Sequence, residues 1–214
     1  SVEGSYESFN DPEEDISTEI THLTGIDNKM VDGKFIDWKE VDTIFGSVDI
    51  IIAHNASFDR AFIDRFSSNS PSKVWACSIN DIDWLERGFT SSKQELLCYW
   101  HGFYFDAHRA MNDVDALINL LTFDTGLERP LLELIKNSNK SEFVIFAEHF
   151  KYDPVKKDIL KGNKYRWNPN DKLWFKKVNP DELEHEKDWL TATIYDQVFK
   201  GRIEEIIPRN KYKL

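Results

Sequence analysis

Apolar positions along the chain follow two rhythms. Two short runs are apolar without interruption, "DIIIA" at 49–53 and "VWACS" at 74–78, and each reads as a buried strand. The first, β-branched and bounded by polar residues, is expected to be parallel and central. Elsewhere apolar residues recur at helical spacing. Trp38, Val41, Ile44 and Phe45 predict a helix over 38–45, and similar reasoning gives helices over 13–23, 58–66, 92–100 and 108–123. Gly25 follows the first as a C-cap. Residues 5–9 read as a further short strand. Strands alternating with helices argue an α/β sheet with covered faces.

The remainder of the chain reads differently. "ERPLLELIKNSNKSE" is a helix running into a polar linker, "FVIFAEH" a strand, and "PVKKDILKGNKY" a helix closed by Gly162. "YRWNPNDKLWF" is a hairpin turning at Asn168-Pro169-Asn170-Asp171. The last helix has Asn179 as N-cap, Pro180 at its first position and Glu182 three residues after the cap. Its apolar stripe is Leu183, Leu190, Ile194 and Val198. The division this suggests is an α/β domain over 1–136, then a linker and a small aromatic-rich α+β module over 137–214.

Charge supports two parts. Residues up to Lys140 carry 12 basic and 25 acidic side chains, net −13; those after it carry 15 and 13, net +2. So acidic a first part does not suit nucleic acid on electrostatics alone, unless its acids gather around metal ions. No apolar run approaches membrane-spanning length, so no membrane partner is expected. Cys77 and Cys98 lack metal-site spacing and read as reduced thiols of a cytoplasmic protein.

Two acids stand out. In "HNASFDRAFI" a strand ends and a helix begins, where α/β sheets place ligands. Asn55 is placed to cap that helix, Asp59 lies about a turn inside it, and Phe58, Phe62 and Ile63 form its apolar face. A first-turn acid favoured by the helix dipole explains Asp59 equally well. In "HRAMNDVDALINLL" the stripe is Ala110, Val114, Leu117, Ile118 and Leu121. Asp113 borders that stripe, whereas Asp115, rotated by roughly 200°, faces solvent. His108 precedes the helix, and a capping His followed by a surface Asp is the plain alternative.

Together, and in this order, the two segments resemble the second and third motifs of the DEDDh 3′–5′ exonucleases, the DnaQ-like family of the DNA polymerase III epsilon subunit. The matching positions are His54, Asn55, Phe58, Asp59 and Ile63, then His108, Arg109, Ala110, Asp113 and Ala116. "EITHLTGI", from Glu19 to Ile26, resembles the family segment beside the 3′ terminal nucleotide. The resemblance implies an RNase H-like exonuclease fold, a mixed sheet with flanking helices. It implies Asp59 and Asp113 as two of four acids holding two divalent ions, Mg²⁺ or Mn²⁺, and His108 as general base. It makes Asn55, Phe58, Thr21 and Leu23 candidates to line the terminal-nucleotide pocket. The implied partners are a DNA or RNA 3′ end and a polymerase or other replication or repair protein.

The family's first motif, Asp-x-Glu on a strand, is not found. Asp11-Pro12-Glu13 has the letters, but Pro12 bars a central strand and the segment reads as a solvated turn. The N-terminal strands of the fold are thus expected to be missing, and this polypeptide alone to show little or no exonuclease activity. A catalytically incomplete module that binds nucleic acid or a polymerase partner is the alternative. In the tail, Tyr165, Trp167, Trp174 and Phe175 lie among Lys164, Arg166, Lys172, Lys176 and Lys177. They read either as a stacking surface for a single strand or as the core of the module.

Overall fold

Polar capping residues open several of the helices, and apolar contacts hold them to a sheet. A computed structural model describes residues 2–107, 109–124, 126 and 128–213. They divide into two compact units, 1–138 with 212–214 and 139–211.

In the first unit Ser17 caps α1 (Thr18–Thr24) by accepting from the Ile20 N–H, and Gly25 ends it at φ 67°, the left-handed turn glycine allows. Asp27 caps α2 (Asn28–Val31) and Asp37 caps α3 (Trp38–Ser47). Then come β1 (Ile50–Ala53), α4 (Ala56–Ile63), β2 (Val74–Cys77), α5 (Gln94–Trp100), α6 (Ala110–Thr122) and α7 (Pro130–Ser138). β1 and β2 pair in parallel, Ile50 opposite Val74 and Ala53 opposite Cys77. Successive side chains alternate between faces. Ile50, Ile52 and Ala76 pack with Leu97, Leu117, Leu120 and Leu134, from α5, α6 and α7. Ile51, Ala53, Trp75 and Cys77 pack on the other side with Ala56, Ile63 and Tyr212. The strands are apolar without a break because both faces are covered. Cys77 and Cys98 are buried and unbonded to each other.

Several expectations need correction. β1 has a single neighbour among the described residues, so it is an edge strand and its four residues stay half-buried. Residues 5–9 form no strand; Tyr6 Oη instead accepts the Asp37 N–H at 2.6 Å, and Ser8 Oγ donates to the Phe35 carbonyl. The first helix is shorter than 13–23, because Asp11 binds the Glu13 and Gly33 N–H groups and makes the segment a turn. On α6 the buried residues are Ala116, Leu117, Leu120 and Leu121. Val114 and Ile118 are exposed, because the face that packs runs along Ala116, Leu117, Leu120 and Leu121, and neither residue lies on it.

The second unit is a four-stranded antiparallel sheet in the order β4-β5-β3-β6 with two helices. Its elements are β3 (Glu142–Ala147), α8 (Pro154–Gly162), β4 (Arg166–Asn168), β5 (Leu173–Val178), α9 (Leu183–Thr193) and β6 (Arg202–Ile206). The hairpin turns as read, Asn168 Oδ1 accepting the Asn170 N–H at 3.0 Å. Asn179 and Glu182 form the capping box, although the first turn, Pro180–Glu182, is a 3₁₀ turn ahead of α9. Gly162 lies inside α8, which Asn163 caps. Leu190 and Ile194 are buried, but α9 ends at Thr193 and Val198 is exposed. β6 was not anticipated: Glu204 and Glu205 interrupt its alternation, and only Ile203 joins the core.

Candidate active site

β1 runs out at Ala53, and the chain turns sharply into α4. Asn55 makes that turn in the left-handed region, φ 77° and ψ 50°, a conformation Asn tolerates better than most residues. It occupies the N-cap position, but its side chain makes no capping bond, a correction to the capping role. Its amide is exposed, beside a recess shared with Ser57, Phe58, Ala61, Phe62 and Arg65. His54, at the end of the strand, is tied by Nδ1 to Ser78 Oγ at 2.7 Å, and burial lowers its pKa. That tie fixes the end of β1 to the turn following β2.

Asp59 sits in the first turn of α4, half-buried. Burial raises its pKa, and among the described residues it has no cationic partner. It borders a cavity of about 650 Å³. The walls are Phe58, Phe62 and Ile63 of α4; Trp38, Val41, Ile44 and Phe45 of α3; Ala110, Met111 and Val114 of α6; and the chain at 4–8. The α3 stripe legible in the sequence therefore lines an opening; none of its residues is buried. Phe58 is 75% exposed, so it is available to a ligand and not held in a core.

Asp113 lies in the first turn of α6, half-buried as its border position implied, and Asp115 is exposed. The Asp113 carbonyl accepts from Gln94 Nε2 at 2.6 Å, which ties α5 to the start of α6. The Cys98 thiol is pushed up to about 11, chiefly by burial and partly by the charge of Asp113. α4 and the first turns of α6 thus share one cavity, with Asp59 on its wall and Asp113 beside Val114 but off that wall. Among the described residues no group of three or more His, Cys, Asp or Glu side chains is arranged to hold a metal ion. His108 lies outside the described residues.

Thr21 and Leu23 are on α1, Leu23 58% exposed and Thr21 partly covered. Neither borders the cavity; Arg109, just before α6, donates from Nη2 to the Gly25 carbonyl at the end of that helix at 3.3 Å. The sequence reading missed this tie, and its only sign was an Arg beside His108. In the second unit, Tyr165 and Trp174, at 3% and 8% exposure, belong to the core, the second of the two readings of that cluster, whereas Trp167 is exposed. Lys176 also points inward, its Nζ 2.6 Å from Glu186 Oε2.

No described helix is long and apolar enough to cross a membrane. No curated protein and no solved structure matches the chain. The helix-flanked sheet is consistent with an RNase H-like exonuclease fold. Residues 1–121, more than half of the chain, match the RNase T-type model described as "Exonuclease", and the chain belongs to that family.

Proposed function

We propose that this is a metal-dependent 3′–5′ exonuclease of the DEDDh, DnaQ-like type acting on DNA or RNA 3′ ends. Membership of the exonuclease family supports nuclease activity in general. The observation that carries the finer reading is Asp59, a half-buried carboxylate with a raised pKa and no cationic partner among the described residues, set on the wall of an apolar cavity. A carboxylate so placed fits a hard divalent cation such as Mg²⁺ or Mn²⁺, which takes oxygen ligands and commonly one or two carboxylates. Asp59 and Asp113 would hold the ions. When bound, such ions lower the pKa of an attacking water and offset charge on the leaving oxygen. His108 takes the water's proton, a role suited to a side chain titrating near neutrality. Phe58 offers its exposed ring to the terminal base, and Asn55 its free amide to the nucleotide's polar edge. Thr21 and Leu23 are the proposed nucleotide contacts on α1, the helix whose end Arg109 holds at Gly25, although neither borders the cavity.

The test is digestion of 5′-labelled single strands in Mn²⁺. The expected products are shortened stepwise from the 3′ end, and Asp59→Asn and Asp113→Asn abolish them. Unchanged digestion by Asp59→Asn, or shortening from the 5′ end, overturns the reading. A second reading is favoured by the donor count, since two described carboxylates fall short of the ligands two ions require. On it the chain grips a 3′ end or a polymerase partner without cutting, and the same assay shows binding without products.

A further inference from the structure

The second unit turns one face of its sheet to its own helices and leaves the other without them. Phe143, Ile145, Ala147, Trp174, Val178 and Ile203 face the helices and join the core. The intervening residues point the opposite way. On that side one cross-strand row spans all four strands: Arg166 on β4 is opposite Phe175 on β5, Phe175 opposite Phe146 on β3, and Phe146 opposite Arg202 on β6. Two phenyl rings, their centroids 6.5 Å apart, thus lie side by side between two arginines, and the Arg202 guanidinium folds back over Phe146. Three strand spacings make the row about 14 Å across.

Neither ring belongs to a buried cluster; both are half-covered, Phe146 by Arg202, whose guanidinium lies 3.9 Å over the ring. Arg166 is exposed, and the next row adds the exposed Lys177. Acids are present as well. Arg202 contacts Glu148 at 2.7 Å and also Glu204, while Glu142 takes Lys177 at 3.8 Å and Lys211 at 3.0 Å. The module's densest acidic run, Asp181 to Asp188, belongs to the helical side.

We infer that this face binds single-stranded nucleic acid, one base stacking on Phe175 and the next on the Arg202 guanidinium that lies over Phe146, while Arg166 takes a flanking phosphate. Stacking on a ring or on a guanidinium plane tolerates any sequence, and an exposed guanidinium matches a phosphate in charge and geometry. The face would hold the strand while its end is presented elsewhere. The choice of ligand rests on the nuclease reading; the geometry does not.

The test is fluorescence anisotropy of the full chain with labelled (dT)₁₀ and (U)₁₀ in EDTA, where no hydrolysis occurs. Phe146→Ala with Phe175→Ala is expected to weaken binding about tenfold or more, by the usual worth of stacking. Phe146→Tyr with Phe175→Tyr, which keeps the rings, is expected to bind as wild type. Arg166→Ala should flatten the logarithmic salt dependence by about 0.7, one single-strand phosphate contact. A difference between the two oligonucleotides names the source of the strand. Equal binding by the Ala pair overturns the proposal, as does an equal loss by the Tyr pair, which would mark the rings as structural. Failure of the nuclease reading is separate: wild type that binds but never cuts refutes that alone, and cutting with the Ala pair binding normally refutes this face alone.

Discussion

Lys176→Met separates a structural lysine from a ligand-binding one. Lys176 occupies the core side of β5, between Trp174 and Val178, and its Nζ lies 2.6 Å from Glu186 Oε2. Glu186 is 5% exposed, and its other oxygen accepts from Asn163 Nδ2 at 2.8 Å. Methionine fills much the same space but leaves that carboxylate buried without its cation, beside only the Asn163 amide and Tyr165. Breaking a buried pair from one side costs about 3–5 kcal/mol. A unit as long as residues 139–211 is worth roughly 4–11 kcal/mol in all, so about a quarter or more of its stability should go. The assay is hydrogen exchange in increasing urea, read on peptides from β5 and α9, so that the first unit's transition does not intrude. Adding Glu186→Leu removes the orphaned charge and should restore most of the loss, since apolar replacement of a whole buried pair is often neutral. If Lys176→Met stays within about 1 kcal/mol of wild type, or the double variant is no better than the single, the reasoning fails. The same geometry means that replacing Lys176 and Lys177 together is no clean probe of ligand binding.

Asp59→Asn should raise Tm in metal-free buffer at neutral pH. A carboxyl whose folded pKa is raised costs stability when ionised, and the cost disappears as pH falls through that raised value. Calorimetry in Mn²⁺ should raise the wild-type Tm and leave Asp59→Asn unmoved; equal shifts would remove Asp59 from the metal's ligands. Asp42, held down to about 2 by the Ser67 and Ser68 hydroxyls, should contribute stability above about pH 4 that drains away toward pH 2. An acid titration of Asp42→Asn should lack that component, and a curve parallel to wild type would contradict it. Gly25→Ala should cost about 1–2 kcal/mol by the left-handed penalty. It should also displace Arg109, whose Nη2 would stand 2.8 Å from the new Cβ; urea denaturation reads the first, and an unchanged midpoint would refute it.

The sequence revealed local structure better than convergence. β1, β2, the 168–171 hairpin and the Asn179–Glu182 box were legible because each follows from neighbouring residues. β6 was not, since its two glutamates mask a strand whose reason to form is the edge of β3. The α6 stripe announced an amphipathic helix without saying which side of it would be covered; Leu117 and Leu121 were, Val114 and Ile118 were not. In the candidate site the residue types could be picked out by position. Whether carboxylates meet depends on how α4 and α6 are laid across a sheet, and no spacing along the chain encodes that distance. The Arg109–Gly25 contact spans 84 residues and had no local signature.

Tyr212 has a consequence of its own. After β6 the chain returns to the first unit, where the Tyr212 hydroxyl donates to the buried Asp81 at 2.9 Å. The chain of the second unit is thus held to the first on both sides, covalently at 138–139 and through the contacts of Tyr212. A protease nick at residues 139–140 cuts the covalent link and leaves the Tyr212–Asp81 hydrogen bond; a second cut near 211 removes that link as well.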